Sequence, residues 1–373
     1  MHPHTHVTYL DSVRGLAALA VVSEHFIIAY GLPCTGRICS QVLDYSPLHL
    51  WWDGTAAVSM FFVLSGLVLS IRYFREGHTP SLESFSLRRY LVNRLFRIWP
   101  PYCGVWLLSA LLYQAVVDTP MARTELLPPD PWVTEMWQGH ALSWGDRIRE
   151  AFLPRLPESI VLIPQAWTLT LELNLSLLLP VGLLLMQRGV CWLLLFTLLL
   201  VGSLGIPVFL VHFLLGLLLA RYWAAISEYL LARPLHRRTL LLLAIPLYTV
   251  NDIHQGWLNE TGLWIISGLG AVLLLMYVSG SVFSQRVLNG QILRAIGKVS
   301  YSLYLLHIAV LICLIPPMLH GLEPLIPHRL GLWSCGWLMT IALSLTFSRW
   351  SYNCLERPGM AAGKRWGTEY VRK

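Results

Sequence analysis

The chain has 373 residues, of which 55% are hydrophobic and only 13% are charged. A water-soluble domain of this size would have too little charge to cover its surface, so the composition excludes that class and indicates a polytopic membrane protein. The formal net charge is +7. An anionic membrane leaflet, or an anionic substrate approached from the cytoplasm, accounts for this excess, so no nucleic-acid partner is required.

Long apolar runs follow one another through the chain. A helix crosses a bilayer with about 20 apolar residues, and on that basis we predict an all-α fold, a polytopic transmembrane helix bundle of about ten spans. The predicted spans are residues 11–31, 51–71, 98–117, 165–187, 190–206, 207–223, 239–255, 261–283, 299–319 and 330–350. We expect residues 1–373 to form a single membrane domain without an appended soluble domain.

The distribution of basic residues supports an even number of spans. Such a number puts both termini on one side, and with cytoplasmic termini most of the 27 basic residues fall in cytoplasmic loops, as the positive-inside rule requires. In the first outside loop, Cys34 and Cys39 could pair in an oxidising periplasm. The other cysteines lie in or beside spans, where a free thiol is the simpler interpretation, and we predict no metal site.

The stretch LDSVRGLAALAVVSEHF, residues 10–26, opens the first span and carries four ionisable groups. Arg14 and His25 are eleven residues apart; at about 100° per residue they share one helix face, about 16 Å apart along the axis. Asp11 lies one turn before Arg14, where it can pair with the guanidinium. Glu24 points about 100° away from His25, so the pattern does not make it the partner of the histidine.

Further polar groups lie in other predicted spans. They include Ser65, Arg72, Glu172, Asn174, His212, Tyr301, Tyr304 and His307. Because such groups are costly in hydrocarbon, they generally face a protein interior or an aqueous cavity. The alternative is a set of hydrogen bonds that join helices, which we favour for any single Ser or Asn. For Arg14, His25 and Glu172 together we favour a polar pocket or passage.

Histidine is the side chain best suited to moving protons near neutral pH, and it can also accept an acyl group. A neighbouring group must then fix its tautomer and stabilise its cation, and a carboxylate such as Glu172 could do so. The interpretation therefore makes His25 the centre of the site, with Glu172 and Arg14 beside it. The supporting residues are Asp11, Ser65, Tyr301 and His307.

A basic segment, FSLRRYLVNRLFRIWPPY, precedes the third predicted span. Its apolar residues recur at helical spacing, while Arg94 and Arg97 lie together on one flank. Two guanidinium groups at that spacing suit a multiply phosphorylated ligand. Anchoring to lipid head groups explains them equally well, and spacing alone does not decide between the two.

The outside loop at residues 118–163 is long, proline-rich and aromatic. It contains Trp132, Trp137 and Trp144, which would suit the apolar face of a sugar. We favour interfacial anchoring for these tryptophans over contact with a ligand.

Five stretches occur in the order typical of one family. LDSVRGLAALAVVSEH contains an Arg and a later His, here Arg14 and His25; FFVLSGLVLSIR, RLFR, WTLTLELNLSLLLP and GKVSYSLYLLHIAV follow. In this arrangement the chain resembles the acyltransferase family 3 membrane proteins. That group includes bacterial O-acetyltransferases of lipopolysaccharide O-antigen, exopolysaccharides and peptidoglycan. The resemblance covers nearly the whole chain.

The resemblance implies a multi-pass protein of the bacterial inner membrane. It implies transfer of an acyl group, usually acetyl, from cytoplasmic acyl-CoA to a hydroxyl group of an extracytoplasmic acceptor, such as a surface glycan. Acetyl-CoA would be a co-substrate, with no tightly bound cofactor, and a separate extracytoplasmic transferase could complete the reaction. His25 would carry the chemistry with support from Arg14, while Arg94 and Arg97 would hold the phosphates of the coenzyme.

In the mechanism that we expect, Glu172 orients His25, and Arg14 and Arg72 supply positive charge where the donor enters. His25 acts either as general base or as acyl carrier. A proton-coupled secondary transporter or exporter is the alternative function, although the chain shows no pairing of Gly- or Pro-broken helices in matching halves. A non-catalytic membrane assembly partner is the third possibility.

Overall fold

A computed structural model describes residues 7–34, 36, 42–43, 45–74, 79–82, 85–138, 142–153, 160–204, 207–253, 256 and 258–369. All regular structure within these ranges is helical, without a β-strand, which confirms the predicted all-α class. Cys34 is disulfide-bonded, whereas Cys39, its predicted partner, lies outside the described residues. Cys103, Cys191, Cys313, Cys335 and Cys354 are free thiols, as predicted.

The described residues form both long helices at predicted spans and short helices between them. They are α1 (Thr8–Tyr30), α2 (Gly54–Ser70), α3 (Leu87–Val116), α4 (Pro131–Gln138), α5 (Trp144–Glu150), α6 (Ala166–Leu177), α7 (Leu179–Arg188), α8 (Val190–Leu204), α9 (Phe209–Ala232), α10 (Pro234–Tyr248), α11 (Val250–Ile253), α12 (Glu260–Ser279), α13 (Val282–Leu288), α14 (Gln291–Cys313), α15 (Ile315–Leu322), α16 (Arg329–Ser351) and α17 (Arg357–Glu369). A 3₁₀ turn, Ile71–Phe74, extends α2, and a π-helical segment, Tyr352–Glu356, joins α16 to α17.

In the described part of the chain, seven helices are long and apolar enough to cross a membrane, or eight if one bent pair is a single span. The seven are Thr8–Tyr30, Gly54–Phe74, Leu87–Val116, Phe209–Ala232, Glu260–Ser279, Gln291–Cys313 and Arg329–Gly367. A multi-pass helical membrane protein is thereby supported. The count of ten spans and the cytoplasmic side of both termini stay predictions.

Three of the predicted spans are not single long helices in the structure. The span at 165–187 is divided into α6 and α7, which are bent by 43°. Pro180 lies in the first turn of α7, where its missing N–H costs nothing but where it cannot continue a preceding helix. The spans at 190–206 and 239–255 correspond to α8 and α10, of 15 residues each, which are shorter than a typical crossing.

The first compact unit comprises residues 1–17, 44–87 and 174–298. Its centre is the crossing of α2 and α9. A Cβ atom on Gly66 would lie 1.9 Å from the carbonyl oxygen of Phe213, and one on Gly216 would lie 2.1 Å from that of Val63. The two backbones therefore touch, and only glycine fits at either position. Such close approach through small residues is typical of helix pairs in membranes.

The second compact unit comprises residues 18–43, 88–173 and 299–373. Its helices are joined by buried polar contacts rather than by apolar packing alone. The Gln165 side-chain amide donates to the carbonyl oxygens of Tyr304 and Leu305, at 3.0 and 2.9 Å. The Ser302 hydroxyl donates to the buried Glu356 carboxylate at 3.0 Å. These contacts fix the part of α14 that carries His307.

The described residues of the segment 118–163, in the second unit, pack around buried side chains of their own. Trp137 is 1% exposed, and its indole N–H donates to the carbonyl oxygen of Val161 at 3.0 Å. The Glu150 carboxylate accepts the backbone N–H groups of Val161 and Leu162, both at 2.9 Å. The prediction of an interfacial anchor is therefore wrong for Trp137, because its ring fills the interior of the loop.

Candidate active site

Two imidazole rings meet in the second unit. Nδ1 of His25, on α1, lies 3.2 Å from Nε2 of His307, on α14, and the ring centroids are 5.0 Å apart. His307 is buried, at 1% exposure, whereas His25 is half-buried. The sequence interpretation had made His307 a supporting residue, and the structure places it directly against the predicted catalytic histidine.

Backbone carbonyls set the tautomer of both rings. Nδ1 of His25 lies 2.9 Å from the carbonyl oxygen of Val21, and Nδ1 of His307 lies 3.2 Å from that of Leu303. A carbonyl oxygen only accepts, so each Nδ1 carries the proton. In the neutral pair, Nε2 of His307 accepts from the Nδ1–H of His25. The remaining lone pair, on Nε2 of His25, is the one that can take a proton or attack a carbonyl carbon.

Trp132 also packs against His25. The two rings are stacked, with centroids 5.5 Å apart and planes inclined by 24°. The ring is placed by the start of α4, where the Trp132 backbone N–H donates to the Asp130 carboxylate at 2.8 Å. The Asp130 backbone N–H in turn donates to the carbonyl oxygen of Ala29 at 2.8 Å. The loop that carries the tryptophan is therefore tied to the last turn of the helix that carries the histidine.

Arg329 strengthens this connection. Its guanidinium donates to the carbonyl oxygens of Tyr30 and Leu32, at 3.3 and 3.2 Å, and to that of Leu126 at 3.0 Å. A helix leaves its last carbonyl groups without partners, and a cation is favourable at that end of the helix dipole. Arg329 supplies hydrogen-bond donors and a positive charge at this end of α1. It thereby holds the loop before Trp132 against the end of the helix.

The predicted role of Glu172 requires a correction. Glu172 was expected to orient His25, but its carboxylate accepts from the Arg94 guanidinium at 3.0 Å. Both groups are largely removed from solvent, with side-chain exposures of 8% for Arg94 and 25% for Glu172. A buried guanidinium needs a compensating charge, and Glu172 provides it. The group that fixes the His25 tautomer is instead the Val21 carbonyl, with His307 as the acceptor beside it.

Arg97 and Tyr301 occupy the same unit. Arg97 is half-buried and lies one turn after Arg94 on α3. This helix begins at Leu87, well before the predicted span, so both arginines lie within it. The Tyr301 hydroxyl donates to the carbonyl oxygen of Ile98 at 2.7 Å and thereby joins α14 to α3. Its position supports the helix pair rather than His25.

The remaining predicted residues lie in the first unit. The Arg14 guanidinium is 3.6 Å from the Asp11 carboxylate, as their spacing predicted. Arg72 donates to the hydroxyl of Tyr73, its neighbour, and Ser65 is buried. His212 is fully buried and bonds through Nε2 to the carbonyl oxygen of Trp264 at 2.8 Å, so it joins α9 to α12. Arg14 and His25 share the unbroken helix α1.

Sequence reasoning missed the contacts of His25 with Trp132 and His307. Trp132 had been considered a membrane anchor or a ligand contact, and neither interpretation places it on the histidine. The one signal in the sequence is that Trp132 directly follows several prolines, which restrict the backbone that carries its ring. For metal binding, the described ranges contain no group of three or more His, Cys, Asp or Glu side chains that could hold an ion.

The fold and this site together define a class: a multi-pass helical membrane protein with a tautomer-fixed histidine pair inside its helices. Residues 7–349 match the family model described as an acyltransferase domain. The chain therefore belongs to acyltransferase family 3, which confirms the resemblance drawn from the motifs. Members of this family are enzymes that transfer acyl groups.

Similar proteins are found in Staphylococcus aureus. Those of strains MRSA252, COL and MSSA476, each named "Putative O-acetyltransferase", are 26% identical to this chain over 136 residues. The aligned stretch is 36% of this chain and 21% of each relative, so the chain matches about a fifth of the length of these curated relatives. No solved structure matches the chain significantly.

Proposed function

We propose that this protein is an O-acyltransferase of the bacterial inner membrane that moves an acyl group, most simply acetyl, from cytoplasmic acyl-CoA to a hydroxyl group of an extracytoplasmic glycan. The observation that carries the proposal is the lone pair on Nε2 of His25, which the Val21 carbonyl and His307 leave available. Family membership and the names of the relatives support the reaction class. The donor, the acceptor and the two compartments are part of the proposal.

The histidine pair suits general-base catalysis. Nε2 of His25 takes the proton of the acceptor hydroxyl while the oxygen attacks the thioester carbonyl carbon. The C–O bond forms, the C–S bond breaks, and the departing thiolate takes the proton from the imidazolium. During this step the Nδ1–H of His25 keeps its bonds to Val21 and His307, which stabilise the cation and hold the ring in place.

An acyl-histidine intermediate is the alternative route. Here Nε2 of His25 itself attacks the thioester carbon and the C–S bond breaks, which leaves an acyl-imidazolium and a thiolate. The acceptor hydroxyl oxygen then attacks the acyl carbon, the C–N bond breaks to return neutral His25, and the hydroxyl proton passes to the thiolate. Incubation with radiolabelled acetyl-CoA in the absence of acceptor separates the routes. Acid- or hydroxylamine-labile label on the protein, absent from a His25→Ala variant, would establish the covalent route. Without such label the general-base route holds.

For the donor, the ion pair of Arg94 with Glu172 supports different roles for the two arginines. Because Glu172 occupies one edge of the Arg94 guanidinium, we assign phosphate contact chiefly to Arg97 and structural support to Arg94. The predicted roles of Arg14 and Arg72 in donor entry stay part of the proposal. Acetyl-CoA acts as a co-substrate, and a separate extracytoplasmic transferase could pass the acyl group on.

Purified protein in lipid nanodiscs provides the test. Consumption of acetyl-CoA is measured through the thiol that it releases, with a surface glycan preparation as acceptor. Mass spectrometry then identifies the acylated product. We expect His25→Ala to lower the rate by roughly 10²–10⁴-fold, the usual contribution of a general base, while the protein elutes as a folded species. A folded His25→Ala protein with the wild-type rate would overturn the proposal. Proton-coupled solute uptake without thioester turnover would support the transporter alternative.

A further inference from the structure

A cavity of about 340 Å³ lies in the first compact unit, beside Asp11 and the Arg14 guanidinium with which it pairs. It is lined by Thr8 and Asp11 on α1 and by Arg294 and Lys298 on α14. The two basic residues are four apart, so they project from the same face of the helix. The cavity is therefore a concave space with two cations on one wall.

The walls of this cavity are held in fixed positions. A Cβ atom on Gly15 would lie 2.7 Å from the backbone nitrogen of Gly297, and one on Gly297 would lie 2.4 Å from the carbonyl oxygen of Asp11. The two helices therefore touch backbone to backbone beside the cavity. The Thr8 hydroxyl, in the lining, also donates to the side-chain oxygen of Asn289 at 2.6 Å. The spacing between the walls is thus set by main-chain contact.

The cavity carries uncompensated positive charge. Arg294 and Lys298 are exposed, and among the described residues neither takes part in an ion pair. The one carboxylate in the lining, Asp11, lies 3.6 Å from the Arg14 guanidinium, which balances its charge. Like charges four apart on a helix repel each other, and a bound anion would relieve that repulsion.

We propose that this cavity is a binding site for a phosphoryl group. Arg294 offers a planar pair of donors that matches two phosphate oxygens, and Lys298 adds a compact charge. Orientation of the protein in the membrane requires only basic residues near the span, such as exposed Arg286 on the neighbouring α13, and does not require a cavity between two touching helices. The phosphoryl group could belong to a coenzyme A donor or to an anionic phospholipid, and the proposal does not depend on acyl transfer.

The test compares an Arg294→Gln/Lys298→Gln double variant with an Arg286→Gln control. Calorimetry measures the binding of coenzyme A and of pantetheine, which lacks the phosphates, in nanodiscs of phosphatidylcholine alone. Native mass spectrometry counts phosphatidylglycerol molecules retained by the protein in detergent. A charge-preserving Arg294→Lys/Lys298→Arg variant, with the melting temperature of each protein, separates loss of charge from loss of fold.

We expect the double variant to bind coenzyme A at least about tenfold more weakly, since two charge-assisted hydrogen bonds are lost, or to retain one phosphatidylglycerol fewer per chain. The first result identifies the coenzyme as the source and the second identifies the lipid. The Arg286→Gln and charge-preserving proteins should resemble the wild type. Wild-type behaviour of the double variant in both assays would overturn the proposal, as would a wild-type protein that binds neither probe.

Discussion

Nε2 of His307 accepts from Nδ1 of His25 across 3.2 Å, and the backbone of each helix determines which nitrogen of each ring is protonated. In enzymes where a histidine acts as base, a third group commonly orients it. Here that group is a second neutral imidazole, not the carboxylate that the sequence suggested. The chemistry of the site therefore depends on a pair of rings that must remain uncharged at rest.

Replacement of His307 tests this dependence. We expect His307→Ala to lower kcat because the imidazolium of His25 loses an acceptor, but by less than the roughly 10²–10⁴-fold lost with the base itself. His307→Gln retains an acceptor oxygen and should recover part of the activity. The pH profile of kcat should shift in His307→Ala, which a purely structural defect would not cause.

The control for this experiment is His212→Gln. His212 is also buried and bonded to a backbone carbonyl, yet it does not contact His25. This variant should lower the melting temperature without moving the pH profile. An unshifted profile in His307→Ala would show that His307 is only a packing residue.

The stack of Trp132 on His25 predicts a distinct effect on the acceptor. An aromatic face stabilises an adjacent cation by about 0.5–2 kcal/mol, so Trp132→Ala should lower kcat by up to roughly thirtyfold and raise KM for the glycan more than KM for the thioester. Trp132→Phe keeps a stacking ring and should retain most of the activity. Steady-state kinetics with each substrate varied in turn provide the measurement.

Trp144 offers a matched comparison within the same loop. It is 63% exposed and makes no contact with His25, so Trp144→Ala should leave both KM values unchanged. Equal losses in the two alanine variants would mean that the loop matters only through membrane anchoring.

The pairing of Glu172 with Arg94 predicts a loss of stability rather than a change of protonation. Glu172→Gln leaves the Arg94 guanidinium without its charged partner, and we expect the free energy of unfolding to fall by about 1.5–3 kcal/mol. The pH profile of the remaining activity should match the wild type because Glu172 does not orient His25. Glu135→Gln, at an exposed glutamate of α4, is the control and should change neither quantity. A shifted pH profile in Glu172→Gln would show that Glu172 does orient His25.

The contact of α2 with α9 predicts that alanine substitution has very different effects on stability at two glycines. Gly66→Ala places a Cβ atom 1.9 Å from the Phe213 carbonyl oxygen, so the helices must separate, at a cost of about 1–3 kcal/mol or more. Gly202→Ala adds a Cβ atom with nothing within 4 Å and should be neutral or slightly stabilising, since alanine favours helix over glycine by about 1 kcal/mol. Thermal unfolding in detergent measures both. Similar melting temperatures for the two variants would contradict the crossing.

The sequence predicted those features that depend on neighbouring turns of one helix. Among the described residues, apolar length located each helix that is long enough to cross a membrane, and the i, i+3 spacing anticipated the Asp11–Arg14 pair. The pairing of His25 with His307 could not be predicted, because nothing in a single chain relates the rotation of α1 to that of α14. Charge complementarity suggested that a carboxylate stands beside His25, but Glu172 instead forms an ion pair with the buried Arg94 guanidinium. The break at Pro180 was missed because apolar composition continues through it.

The hydrogen bond from Asp130 to Ala29 has a practical consequence for handling the protein. An epitope tag or fluorescent reporter inserted between Leu126 and Pro131 would disrupt the hydrogen bond of Asp130 with Ala29 and displace Trp132 from His25. We expect turnover to be lost even in a cell that still displays the polypeptide. Topology mapping with inserted tags should therefore avoid residues 126–131, even though this stretch lies far from every motif in the sequence and looks suitable for an insertion.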